Sequence, residues 1–337
     1  MVCVLRDTTG RFVSMDTTIS IHNTESIPLN ETGHPNCSSI VTLPFLVLII
    51  ALVGLAGNTV VLWLLGFHMR RKAISVYVLN LALADSFFLC CHSIDSLLRI
   101  MDFYGLYAHK LSKELLGQAA IIPYISDLSI LSAISTERCL SVLWPIWYHC
   151  HRPRNMSAII CALIWVLSVL LGILDLFFSG FLGETHHHLW KNDDFIVTAF
   201  LIFLFMLLLG SSLALVVKVL CGSRQKPLSR LYITISLTVM VYLICGLPLG
   251  LYLFLLYWLG VHLHYPFCHI YQVTAVLSCV NSSANPIIYF LVGSFRQRRK
   301  HRSLKTVLKR ALEDTPEEDE YTDSHLQKTT EISESRC

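Results

Sequence analysis

Seven times in 337 residues the chain runs for about 20 or more positions with few charges, at roughly 40–66, 76–101, 115–143, 156–181, 195–221, 231–259 and 268–293. An α-helix rising 1.5 Å per residue needs roughly 20 apolar residues to cross a hydrocarbon core. In that medium a helix satisfies its backbone hydrogen bonds within one segment, which an open strand cannot do. The pattern specifies an all-α membrane protein, a bundle of seven transmembrane helices. Composition supports it: 54% of residues are hydrophobic and 15% charged, where a soluble domain is about 25% charged. The net charge of +3 is unevenly placed, and nothing in it suggests a nucleic-acid partner.

Orientation is read from Lys and Arg in the short connections. Arg70, Arg71 and Lys72 follow the first stretch, Arg152 and Arg154 the third, Arg224, Lys226 and Arg230 the fifth, and a run from Arg296 to Arg310 the seventh. The alternate connections hold Lys110 and Lys113, then Lys191, then no Lys or Arg between Leu259 and Cys268. The expected topology has the amino terminus outside and the carboxyl terminus inside. It divides the chain into an outer tail (1–39), the bundle (40–293), an amphipathic cytoplasmic helix (294–310) and a disordered tail (311–337). The first 39 residues hold no apolar core of a signal peptide, so the first span is expected to direct insertion, with Met15 an alternative start. Asn30 in "NET" and Asn36 in "NCS" are glycosylation acceptors on the outer side. Cys90, Cys91, Cys161, Cys245 and Cys279 lie inside apolar runs, as small hydrophobes; Cys3, Cys37 and Cys268 are the ones placed to meet an oxidising compartment, where Cys37 could bridge Cys268.

Polar residues inside the runs carry the next step, because each is costly in lipid and needs a reason. In order they are "GNTVVLWLL" (Asn58), "NLALAD" (Asp85), "TERC" (Arg138), Trp165, "CGLP" (Pro248) and "NPIIY" (Asn285, Pro286, Tyr289). This ordered set, spread over about 230 residues, resembles the rhodopsin-like G-protein-coupled receptors. The departures point to a branch. No cysteine opens the third span or occurs in "GETHHHLWKNDDF", so the usual disulfide between them cannot form; the fifth span lacks its proline; and Gly246 stands where tryptophan is usual. "TERCLSVLWPIWYHCHRPR", "CGLPLGLY" and "SCVNSSANPIIYFLVGSFR" resemble the Mas-related receptors of sensory neurons, close to their rodent C type. The resemblance implies a plasma-membrane receptor that binds short basic peptides, C-terminally amidated, couples to a heterotrimeric G protein through Gq and calcium, and serves nociception or itch.

Read alone, Glu137 and Arg138 are an interfacial charge pair reaching the headgroups. The resemblance makes them the G-protein switch, with Asn285, Pro286 and Tyr289. Many relatives restrain this arginine with an acid at the start of the sixth helix. Here that region reads "QKPLSR" and has none, so Arg138 is expected to be held mainly by Glu137, in a weakly locked resting state. Asp85 is expected to bond Asn58 and Asn285, and the resemblance implies a sodium pocket completed by Asn281. Asp127 lies eleven residues before Arg138, about three turns, on the same inward face. Two carboxylates in one low-dielectric pocket require a shared proton or a cation between them. The same pair is what a cation transporter or channel using Asp85 and Asp127 would need, but no internal repeat of the kind common in transporters is visible.

Asp175 lies late in the fourth run, and Asp193 and Asp194 open the fifth, where acids also suit a helix start. The resemblance implies that Asp175 and Asp194 receive the Arg or Lys of a peptide, with Tyr124 as aromatic neighbour. Asp95, Arg99 and Asp102 at i, i+4 and i+7 pair locally. The histidines of "ETHHH", with His262 and His264, match no rigid metal spacing and are read as solvated. No Gly-rich phosphate loop and no nucleophile with a base appears, which argues against an enzyme. "SFRQRRKHRSLKTVLKRAL" is expected to lie on an anionic inner leaflet. The Ser and Thr residues of the acidic tail beyond it are candidate phosphosites for arrestin.

Overall fold

The computed structural model describes residues 42–69, 72–106, 110–144, 146, 148, 150, 152–153, 155–180, 187–221, 230–258, 268–294 and 304–312, all within the unit Ser39–Cys337. Eight helices follow in order among them. α1 is Thr42–Trp63, continued by a π-helical turn Leu64–His68; α2 is Ala73–Phe103, α3 Lys110–Leu143, α4 Met156–Gly180 and α5 His187–Cys221. α6 is Arg230–Val241, a π-helical turn Tyr242–Gly246, then Leu247–Trp258; α7 is Cys268–Ser294 and α8 Leu304–Ala311. α1 to α7 are each long and apolar enough to cross a membrane.

The seven runs differ in where their apolar surface goes. α3 is the axis: 72% of its most apolar window is buried, against 28% for α1 and α4 and 17% for α5. Its sequence explains this, because Ser126, Ser129, Ser132 and Ser135 recur every third residue and small residues let helices approach. Ser126, Ser129 and Ser132 each donate to the carbonyl four residues back. Ser132 also reaches the Leu204 carbonyl at 3.1 Å, and Ser135 meets Ser211 and Ser212 at 2.8 and 2.9 Å, closing the α3–α5 seam. Trp165 Nε1 donates to Asn80 Oδ1 at 3.0 Å and fastens α4 to α2. The π turn of α6 runs up to Pro248, whose missing N–H interrupts the ladder and loosens the turn before it.

Two expectations are corrected by the helix ends. α5 begins at His187, with no acid in its first turn, so Asp193 and Asp194 lie inside the helix and do not cap it. α8 does not lie apart on a leaflet. Leu308, Ala311 and Leu312, spaced i, i+3 and i+4, form one apolar face that is buried in the same core as Leu65, Ile74, Ile134, Leu231, Ile235 and Tyr289. Lys305 and Lys309 stay exposed. Covering each leucine is worth roughly 1.5–3 kcal/mol relative to water, and here the bundle supplies the cover.

Candidate functional site

On the half of the bundle away from α8, a cavity of about 150 Å³ lies between α3, α4, α5 and α6. Its wall is almost wholly apolar, with Ile121, Leu128, Val197, Leu201 and Phe205, and Tyr124, Asp175, Thr198 and Tyr242 supply the polar atoms. Asp175 is 7% exposed and Tyr124 5%, so a carboxylate stands in a greasy recess where a cationic group hydrogen-bonded to it would offset the cost of its burial. Tyr124 Oη donates to the Gly246 carbonyl at 3.1 Å and lies 3.4 Å from Tyr242 Oη. Gly246 makes room for this: a Cβ there would meet the Tyr242 ring at 2.7 Å. Tyr242 therefore takes the space that the usual tryptophan would fill. The signal that could have found it was the glycine departure, four residues on.

Below the cavity, Asp85 and Asp127 are both buried, 0% and 4% exposed. Asn285 Nδ2 donates to Asp85 Oδ2 at 2.9 Å, and Asn281 Nδ2 donates to Asp127 Oδ2 at 3.2 Å. Asn58 corrects its expected place: its Nδ2 donates to the carbonyls of Gly54 at 3.1 Å and Ser282 at 3.0 Å rather than to Asp85. It ties α1 to α7 because Ser282 turns its carbonyl toward it across the α1–α7 seam. Five buried oxygens here, Asn58 Oδ1, Asp85 Oδ1, Asp127 Oδ1, Asn281 Oδ1 and Asn285 Oδ1, have no hydrogen-bond donor among the described residues. Unmatched acceptors with two carboxylates among them are the kind of oxygen ligand a hard cation takes.

At the end of α3 nearer α8, Glu137 and Arg138 are paired differently from expectation. Glu137 Oε1 receives Arg152 Nη2 at 2.6 Å and Tyr148 Oη at 2.6 Å, while Arg138 Nη2 stands 3.7 Å away. Glu137 is thus held chiefly by Arg152 and Tyr148 of the following connection. The physical reason is reach: Arg152 also bonds Ser157 Oγ at 2.6 Å and lies over the Tyr148 ring at 5.0 Å, so its guanidinium is already fixed against the carboxylate. Burial, then the bond to Glu137, pushes the Tyr148 phenol up to about 12, which keeps it a donor at neutral pH. Tyr289 is 3% exposed, Arg138 9% and Asn285 1%; Pro286 is inside α7.

Asp95 Oδ2 pairs with Arg99 Nε at 2.7 Å as its spacing predicts, and Arg99 also lies 5.7 Å from the Tyr271 ring centre, linking α2 to α7. Asp194 belongs to α5, but its side chain and that of Cys268 fall outside the described set. Asn30, Asn36, Cys37, His262, His264 and the acidic tail also lie outside the described residues.

Seven long apolar helices packed around α3 make this chain a seven-helix membrane protein, and its relatives make that protein a receptor. A family model, 7 transmembrane receptor (rhodopsin family), matches residues 57–289. The chain is 88% identical over 322 residues to Mas-related G-protein coupled receptor member X1 of Mus musculus, covering 96% of this chain and 100% of the relative. The protein of that name from Rattus norvegicus is 85% identical, over 96% and 100% of the two chains, and that from Homo sapiens 51%, over 96% and 99%. The chain belongs to the Mas-related G-protein coupled receptors of the rhodopsin family. It is a multi-pass membrane receptor and not an enzyme.

Proposed function

We propose that this receptor binds short basic peptides with amidated carboxyl ends from the extracellular side and activates a Gq-class heterotrimer, raising calcium in sensory neurons in the service of nociception or itch. The observation that carries the reading is the buried carboxylate of Asp175 in an otherwise apolar recess beside Tyr124. A guanidinium entering there gains a charge-assisted bond that few neutral ligands match. The resemblance makes Asp194, three and four residues before Val197 and Thr198 in the chain, the second acid of the pair. The amino terminus, with sugar on Asn30 and Asn36, faces out of the plasma membrane, and the carboxyl terminus faces the cytoplasm.

Binding at the recess reaches the inner end through α6 and the central polar layer. A peptide against Tyr124 competes for the contacts that Tyr124 makes with Gly246 and Tyr242 at the π turn. Asp85, Asp127 and Asn281 would hold a sodium ion, whose charge would offset the two buried carboxylates, and α7 shifts about Asn285, Pro286 and Tyr289. Arg138 then meets the G protein, and the phosphorylated tail recruits arrestin. The test is alanine at Asp175 and at Asp194, read by calcium flux in transfected cells against Arg-Phe-amide and Arg-Tyr-amide peptides. Each change is expected to weaken potency at least about tenfold, roughly the value of one charge-assisted bond, with surface expression intact. Retained potency in both overturns the assignment.

A further inference from the structure

Between the cytoplasmic ends of α2, α3, α6 and α7 lies a small apolar space walled by Ile74, Leu131, Ile134, Ile235 and Tyr289, and its floor is Leu312, just past α8. Leu308 and Ala311 are fully buried and Leu312 is 4% exposed. Thr234 of α6 shares its one hydroxyl hydrogen between the Arg230 carbonyl of its own helix at 2.9 Å and the Ala311 carbonyl at 3.3 Å. Gly293 of α7 lets the backbone of α8 come closer than any side chain would permit, since a Cβ there would strike the Val307 carbonyl. Three independent features, an apolar face, a hydrogen bond to α6 and a glycine notch on α7, thus seat one short helix across the mouth of the bundle.

We propose that α8 is an internal plug of the transducer cavity, a self-inhibitory segment that must leave before a G protein can engage. This rests on reading the cytoplasmic end as the G-protein surface. The plug supplies what α6 lacks. The region before α6 has no carboxylate to restrain Arg138, and α8 instead fastens α6 to α7 through Thr234 and Gly293. The exposed Lys305 and Lys309 on its outer face would hold the released helix on an anionic leaflet, giving it a second resting place.

The experiment uses the full-length receptor in cell membranes. Leu308→Asp should raise peptide-independent nucleotide exchange on a Gq-class heterotrimer at least about threefold at matched surface density, because a charge cannot stay in that core. Lys305→Glu, on the exposed face, should not raise it. A Thr234→Cys, Ala311→Cys pair should cross-link on mild oxidation without peptide or G protein and abolish peptide-stimulated exchange, and reduction should restore it. Exchange unchanged by Leu308→Asp, or a pair that does not cross-link, overturns the plug. The cross-link depends on neither ligand nor transducer, so its failure is distinct from failure of the peptide reading, which shows as absent exchange in wild type on adding the amidated peptides.

Discussion

Removing the Arg152 side chain tests the wiring at the inner end of α3. Glu137 and Arg152 are 7% and 16% exposed and 2.6 Å apart, so Arg152→Ala strands a buried carboxylate. Stranding one partner of a buried pair costs about 3–5 kcal/mol. Tyr148 still donates to Glu137, and Arg138 is near enough to take up part of the charge, which brings the expected loss below that range, to about 2–3 kcal/mol. At roughly 2–4 °C per kcal/mol for a somewhat smaller domain, that is a fall of about 4–12 °C in the midpoint of unfolding. The assay is thermal unfolding in detergent, followed by a thiol-reactive dye that reports buried Cys139, Cys161 and Cys279. Glu137→Gln is the second arm and the double variant closes the cycle, with an expected coupling of about 2 kcal/mol. A double variant whose loss equals the sum of the singles refutes the pairing, as does Arg152→Ala melting within about 1 °C of wild type.

Other outcomes follow from the same geometry. Tyr148→Phe should lower the melting midpoint by a constant amount between about pH 6 and 9: a phenol raised to about 12 lends stability that is present below the ordinary tyrosine value and lost only as pH rises through the raised one. A difference that shrinks within that range counts against the bond to Glu137. Gly246→Ala should destabilise by about 1–3 kcal/mol through overpacking against the Tyr242 ring, read in the same melt; an unchanged midpoint sinks that contact. Asp127→Ser should abolish the effect of sodium on peptide affinity in radioligand competition, and retained sodium sensitivity removes Asp127 from the ion site.

Much of this architecture was legible because hydropathy along one chain suffices for it. The length of an apolar run decides whether it spans, and the seven runs became α1 to α7. Asp127 was also legible: eleven residues at helical pitch put it on the inward face of α3, and it is buried there against Asn281. Partners that depend on loop geometry were not. Nothing in "TERCLSVLWPIWYHCHRPR" says that the chain folds back to set Tyr148 and Arg152 on Glu137, because a connection's path is fixed by tertiary contacts and not by its own periodicity. The amphipathic pattern after α7 shows which face of α8 is apolar but not whether a leaflet or the bundle covers it. Asn58 was mistaken for a partner of Asp85 since residue types alone do not distinguish a side-chain acceptor from a backbone carbonyl.

The most direct measurement is GDP release from a purified Gq-class heterotrimer by the receptor reconstituted in lipid nanodiscs, with and without a basic amidated peptide. Peptide-dependent acceleration that Asp175→Ala removes is the predicted result. Peptide binding without acceleration, together with a peptide-driven cation current in planar bilayers, would contradict it.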